Sequence, residues 1–183
     1  MHGLPIQIPA LVLRHFVLED AAPIRQLNAE ASTKYWLPSH VYADQAEATD
    51  ALAYLIASYK EPRNPRLGPY VLAVERSIPA ELRGHVGFSP LDAEVEVSYA
   101  IAESARGRGY GAEALAHACD WASKTFGLSS FIAITAAENV ASRRLLERAR
   151  FFHEREEIRH FQGVHRAVSC YRWREQPCGT GGA

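Results

Sequence analysis

The order of periodicities along the chain predicts a mixed α/β fold, a mixed sheet flanked by helices, and three observations carry that prediction. Alternating and helical stretches follow one another as β-α-α-β-β-β-α-β-α-β-β, with no repeat, low-complexity block or interior linker, which fits one domain over residues 1–183. Residues 94–126 pass from an alternating run, EVEVSYAI, through Arg106-Gly107-Arg108-Gly109-Tyr110-Gly111 into a stretch with helical periodicity. A short, continuously apolar run, SFIAITA, then has the character of a buried strand.

In order, LVLRHFV (residues 11–17) reads as the first strand. Asp20 stands at a helix N-cap position, with Pro23 in the first turn and Ile24, Leu27 and Ala31 on one face. The segment STKYWLPSHVYA is aromatic, contains proline and has no period, so a loop is expected. A second helix starts at Asp44, with Glu47 at capping-box spacing, and carries Ala48, Leu52, Leu55, Ile56 and Tyr59 to about Lys60. PRNPRLGP breaks it. PYVLAVER and GHVGFSPL are two strands joined by a turn containing Ile78-Pro79-Ala80. The central strand and its helix follow, the helix presenting Leu115, Cys119, Ala122 and Phe126 on one side. After SFIAITA, Asn139 caps a helix with Ala141, Leu145 and Ala149 on its apolar side. FFHEREEIRHF and HRAVSCYRW close the chain as strands around Gln162-Gly163, and QPCGTGGA (residues 176–183) is expected to be a loose tail.

A chain of 183 residues is long enough for one well-buried core and short for two. A net charge of −1 argues against a dedicated nucleic-acid or membrane-surface binder. Arginines crowd the C-terminal third (Arg143, Arg144, Arg148, Arg150, Arg155, Arg159), which suits either a solvated basic face or attraction of an anionic ligand. Cys119, Cys170 and Cys178 form no CxxC pair and are odd in number, as a reducing cytosol would allow. The first residues, MHGLPIQIPALVL, lack a basic start and are broken by Pro5 and Pro9, so no signal peptide is expected. No HxxxH or HExxH spacing occurs, and no metal is expected.

The glycine-rich turn is the chemical signal. Glycine lets backbone amides converge where strand becomes helix, and the helix start adds a positive dipole, so the turn suits a phosphate or pyrophosphate. A nucleotide P-loop would need GxxxxGK, and no lysine follows these glycines. A dinucleotide fold would want GxGxxG and an acid about 20 positions on. Here the spacing is GxGxG, and the region of SFIAITA offers no acid before Glu138.

The run from Arg106 to Gly111 resembles the acyl-CoA-binding signature of the GCN5-related N-acetyltransferases (GNAT). EVSYAI, RGRGYGAEAL and AENVASRRLLERARFF are similar, in order and spacing, to the RimJ/RimL-type branch of that family, closely over about residues 84–152. The resemblance implies a mostly antiparallel mixed sheet with about four helices, acetyl-CoA as cofactor and transfer of its acetyl group to a primary amine. It implies that Gly107, Arg108, Gly109, Tyr110, Gly111 and Ala112, with Arg106, hold the pyrophosphate. Tyr99, Ala100 and Ile101 would pair with the pantetheine arm, where the neighbouring strand splays away beyond a bulge. Asn139 would contact the cofactor as well as capping its helix.

Glu96 is the leading general-base candidate. It shares a strand face with Glu94, Ser98 and Ala100, opposite Val95, Val97, Tyr99 and Ile101, and matches the family glutamate; the alternative is a solvated or ion-paired carboxylate. A base matters by substrate. Deprotonating an α-amine of pKa about 8 costs about 1 kcal/mol at pH 7, and a lysine-like amine about 4.6 kcal/mol. Some branches carry a tyrosine as proton donor seven residues after the Asn139 position; here it is Leu146, so Ser142 is the candidate partner of the sulfur. Tyr99 and Tyr171 are weaker donors, Tyr99 because its face should be buried. Arg150 replaces the usual glycine before Phe151, suggesting an altered turn, and Ala100 replaces a usual tryptophan, opening space near the acyl group. The expected acceptor is a protein N-terminal amine or a small amine, and a homodimer is common in the family. The competing readings are a non-enzymatic acyl-CoA sensor of the same fold and a dinucleotide oxidoreductase.

Overall fold

A computed structural model describes residues 3–59 and 64–175. Strands β1 (Ile6–Ile8), β2 (Leu11–Arg14), β3 (Tyr70–Arg76) and β4 (Glu81–Leu91) form one half of a sheet. Strands β5 (Glu94–Ile101), β6 (Ser130–Ala136), β7 (Phe152–Phe161) and β8 (Val164–Arg174) form the other, in the order β1-β2-β3-β4-β5-β6-β8-β7. Every neighbouring pair is antiparallel except β5–β6. Helices α1 (Ala21–Asn28), α2 (Ala31–Trp36), α3 (Gln45–Tyr59), α4 (Tyr110–Phe126) and α5 (Val140–Arg148) complete the fold. The tail at 176–183 and the end of the second predicted helix at Lys60 lie outside the described residues.

The alternation read in the central strands is what builds the core. Val86 and Phe88 on β4 and Val95 and Val97 on β5 are buried with Leu115, Ala118 and Ala122 of α4. Each such large side chain stabilises by about 1.5–3 kcal/mol.

The site is positioned by one irregularity. β4 and β5 pair continuously from Gly84–Ile101 to Leu91–Glu94, whereas β5 and β6 pair only at Glu96–Ile132. Beyond Glu96 the two strands part, and β6 continues instead along β8 to Ala136. The Ala102 N–H donates to Arg83 O on the β4 side. By alternation, the Tyr99 and Ile101 main-chain groups therefore point into the gap. The splay expected of this sheet is present, but no bulge accompanies it: register breaks fall in β3–β4 and β7–β8, and the β4–β5 ladder has none.

Several local expectations are corrected. The segment read as a loop after the first helix contains α2 and a 3-10 turn, Pro38–His40. α1 ends at Asn28, so Ala31 starts α2 rather than extending α1. Asp20 holds the N-cap position of α1 as expected, but its side chain makes no cap hydrogen bond; the carboxylate instead accepts from the Val17 N–H at 2.9 Å and from Arg14 at 2.7 Å, closing a 3-10 turn before the helix. β1, three residues between Pro5 and Pro9, is too short to show a period and was not expected. Gln162 and Gly163 both have positive φ, 50° and 83°, the signature of a tight two-residue hairpin turn. Arg150 does not alter its turn: with φ 68° it takes the left-handed conformation itself, and Phe151 N–H still closes onto Leu146 O at 3.0 Å.

Candidate active site

The parting of β5 and β6 opens a cavity of about 570 Å³, within the range of small-molecule sites. One end is built at the start of α4. Gly109 is the N-cap, at φ 84° and ψ −11°, and nothing lies within 4 Å of where its Cβ would be. The left-handed conformation turns the amides inward, and the missing side chain leaves approach open. Glu113 and Ala112 N–H both donate to Gly109 O, while the amides from Gly107 to Gly111 take no main-chain acceptor among the described residues. Gly111 serves packing, since a Cβ there would stand 2.5 Å from Leu145 Cδ1 and 3.2 Å from Ile101 Cγ1.

Of the residues singled out for the cofactor, Arg106, Gly107, Gly109, Tyr110, Gly111, Ala112, Tyr99, Ala100, Ile101, Asn139 and Ser142 all line this cavity. Arg108 does not; it is exposed outside it. Arg106 lines the cavity but is partly committed to the fold, its Nε donating to Ile101 O at 2.9 Å and its guanidinium lying 3.8 Å from Glu30. Asn139 Oδ1 accepts from Ser142 N–H at 3.1 Å, the expected cap, with the residue still at the cavity wall. Of the arginines crowding the C-terminal third, Arg144 and Arg148 line the cavity from α5 with no ion pair among the described residues, though the sequence reading does not assign them to the site. Their i, i+4 spacing on a helix whose cap was already recognised is the signal that would have placed them there.

Free amides, unpaired strand edge and flanking arginines at one end of the cavity fit a ligand with a pyrophosphate and an extended amide-bearing arm. The opposite wall carries Glu96. Glu94, its neighbour on the face, is tied to Arg172, but Glu96 has no hydrogen-bond or ion-pair partner among the described residues. Burial pushes its carboxyl up, against a weaker opposing pull from Arg159.

Ser142 projects into the cavity from the first turn of α5, its hydroxyl 2.7 Å from the Tyr99 hydroxyl, which also donates to Ser142 O at 3.3 Å. Tyr99 thus borders the cavity rather than lying wholly behind it, correcting the expectation of a buried face. Burial raises its pKa far above the usual phenol value, so its role is that of a hydrogen-bond donor. Tyr171 is fully buried between Glu147 and Arg143 and reaches no cavity wall; Leu146 is likewise in the core, though it touches the cavity.

Residues 10–151 match a family model described as the acetyltransferase (GNAT) domain. The chain is a GNAT acetyltransferase. No curated protein sequence matches it at a significant level. Among solved structures, this GNAT domain is similar to the ribosomal-protein-S5-alanine acetyltransferase of Vibrio fischeri, at 17% identity and a TM-score of 0.80 over 94% of this chain and 97% of that one. It is similar to the Salmonella typhimurium acetyltransferase that modifies the N-terminal serine of ribosomal protein L7/L12, at 18% identity and TM-score 0.74, covering 92% and 97%. It is also similar to MccE, the microcin C7 self-immunity acetyltransferase, solved with acetyl-CoA and AMP, at 14% identity and TM-score 0.74, covering 92% and 94%. Those likenesses are of fold. As a GNAT domain the chain uses acetyl-CoA, and the cavity residues are chemically suited to it. Among the described residues, no helix is long and apolar enough to cross a membrane.

Proposed function

We propose that this single domain transfers the acetyl group of acetyl-CoA to a primary amine, with protein N-terminal amines as the favoured acceptors. One observation carries the reading. An unpartnered, proton-avid carboxylate, Glu96, faces the same cavity as a cradle of free amides at Gly107–Gly111. When bound, acetyl-CoA supplies a thioester whose carbonyl carbon accepts the amine and whose sulfur departs.

The amides of Gly107, Gly109, Tyr110 and Gly111, with Arg106, Arg144 and Arg148 at the rim, hold the pyrophosphate end, while Ala112, its N–H turned to Gly109 O, lines the cavity beside them. Tyr99 and Ile101 align the pantetheine arm as an added strand, and a main-chain N–H there polarises the carbonyl. Glu96 takes one proton from the acceptor ammonium, freeing the nitrogen lone pair; the C–N bond forms as the C–S bond breaks, and the second proton, made acidic on the acylated nitrogen, passes to the departing thiolate. Ser142, oriented by Tyr99 and its own place after the Asn139 cap, donates a hydrogen bond to the departing sulfur. That sulfur needs little more, because its thiol has a pKa of about 8.5. An α-amine suits a single carboxylate base, since its deprotonation at pH 7 costs only about 1 kcal/mol.

The same reading assigns the protein to the cytosol and admits a homodimer. The test is thiol release from acetyl-CoA against a panel of N-terminal peptides, diamines and aminoglycosides. Turnover with peptides supports the reading; turnover confined to another acceptor class removes the peptide preference. Tight acetyl-CoA binding with no turnover on any amine would instead describe an acyl-CoA sensor.

A further inference from the structure

On the sheet face that carries Glu96, the β4–β5 register sets Ser89 beside Glu96, Gly87 beside Ser98 and His85 beside Ala100. Gly87 and Ala100 are small, so the floor between the Glu96 carboxylate and His85 is low. His85 is 4% exposed, and neither of its ring nitrogens has a partner among the described residues. The His40 ring stacks on it with centroids 5.6 Å apart and planes 21° apart, and His40 lines the cavity. Among the described residues the His40 ring also has no hydrogen-bond partner, while its main chain is held on both sides, the N–H donating to Leu37 O and the carbonyl accepting from Asn28 Nδ2, each at 2.9 Å. The Asn28 Oδ1 is buried and unpartnered too. A buried polar group left unpaired costs about 1–3 kcal/mol, and of this cluster His40 is the member that lines the cavity, so a bound group would pair with it through the His40 ring.

The chemistry of the pair narrows what that is. Burial lowers the pKa of both histidines, His40 additionally lowering His85 to about 3, so both rings are neutral at pH 7. A neutral imidazole offers one donor and one acceptor and neither attracts nor repels a full charge. A peptide group presents the complementary acceptor and donor. A polyamine presents only cations, which would seek carboxylates.

We propose that His40, seated on the buried ring of His85, forms a subsite on the Glu96 side of the cavity that holds a peptide group within the first two residues of an N-terminal acceptor. This rests on the amine-acetyltransferase reading above and gives its acceptor a chemical class. Ser39 Oγ donates to Gln162 Oε1 at 3.1 Å, tying the 3-10 turn that carries His40 to the tip of the β7–β8 hairpin. The subsite therefore sits where the cavity wall and hairpin meet, beside Ala100 on the sheet face that carries Glu96.

The test compares the peptide Ala-Ala-Ala amide with two analogues in which the first or the second peptide N–H is replaced by an ester oxygen, and with butylamine. The wild-type enzyme should lose about tenfold in kcat/KM on one ester analogue, the value of one buried hydrogen bond. His40→Phe, which keeps the ring stack and removes the nitrogens, should reduce that ratio to near one, and His40→Gln should restore part of it. Butylamine turnover and acetyl-CoA affinity by calorimetry should be unchanged in both variants. A wild-type ester ratio near one for both analogues, as when only ordered water occupies the pair, overturns the subsite. So does a ratio that His40→Phe leaves intact. Turnover of butylamine without any of the peptides overturns the subsite alone, whereas no turnover of any amine despite acetyl-CoA binding overturns the acetyltransfer reading with it.

Discussion

Glu96 concentrates the trade between stability and reaction in one side chain. Because burial raises its pKa, the folded protein binds a proton more readily than the unfolded chain does. Its contribution is then least unfavourable at low pH, and stability falls as pH climbs from the ordinary carboxylate range through the raised value. The base, however, works only when ionised. Glu96→Gln should therefore lower kcat/KM by roughly 100-fold or more and flatten the acid limb of the pH profile, an acid limb that lies above the usual carboxylate range in the wild type. The same variant should melt at a higher temperature at pH 7. Unchanged kinetics, or a lower melting temperature, would remove Glu96 from this role. Arg150 offers a second test at this scale. A non-glycine residue in the left-handed region costs about 1–2 kcal/mol, and its exposed pair with Asp120 at 2.6 Å returns less than about 1 kcal/mol. Arg150→Gly should raise unfolding free energy by about 0.5–1 kcal/mol in urea titrations, with catalysis unaltered; destabilisation would mean that the Asp120 contact outweighs the strain.

At the scale of elements, the start of α4 separates two uses of glycine. Gly109→Ala meets no atom with its new Cβ but forces alanine to φ 84° and places a methyl beside the free amides. It should weaken acetyl-CoA binding at least tenfold by calorimetry while costing about 1–2 kcal/mol of stability. Gly111→Ala must instead push Leu145 away from α4, so its first effect should be on stability. Equal CoA affinity for Gly109→Ala and wild type would show that the cradle does not grip the anion. These elements were legible in the sequence because their signals are local: alternation in β5, three glycines at fixed spacing, an asparagine cap before α5. The segment 31–43 was not, since α2 is six residues without an apolar stripe and is held instead by tertiary contacts such as the Glu103 carboxylate accepting from Ser32 N–H and Oγ. Arg14, which pairs with Glu75 61 residues away and with Asp20, likewise draws the Asp20 carboxylate away from a cap hydrogen bond at the α1 N-cap it occupies, a contact that only the folded sheet can form. The placement of Tyr99 failed for a related reason: period two gave its strand face correctly, but the parting of β6 opened that face to a cavity.

The whole molecule is a sheet held open at one seam. Its halves are joined through the β5–β6 boundary, which is paired at a single register position, so a ligand that fills the seam supplies main-chain partners the protein lacks. Acetyl-CoA at about 100 times its Kd should stabilise the folded state by about 2.7 kcal/mol, or roughly 5–10 °C in Tm for a chain of this size. NAD, which shares the pyrophosphate but not the amide-bearing arm, should give much less. Hydrogen exchange assigns the effect to a place. With acetyl-CoA bound, amides of Tyr99, Ile101 and Gly107–Gly111 should slow by at least tenfold, because they are the groups without protein acceptors at the gap and the cradle. Amides of Gly84 to Phe88 that lie in the closed β4–β5 and β3–β4 ladders should hold their rates apart from the global stabilisation. Slowing that spreads evenly over both halves, with nothing added at the seam, would mean that the cofactor binds elsewhere and that the open seam is only a feature of the sheet.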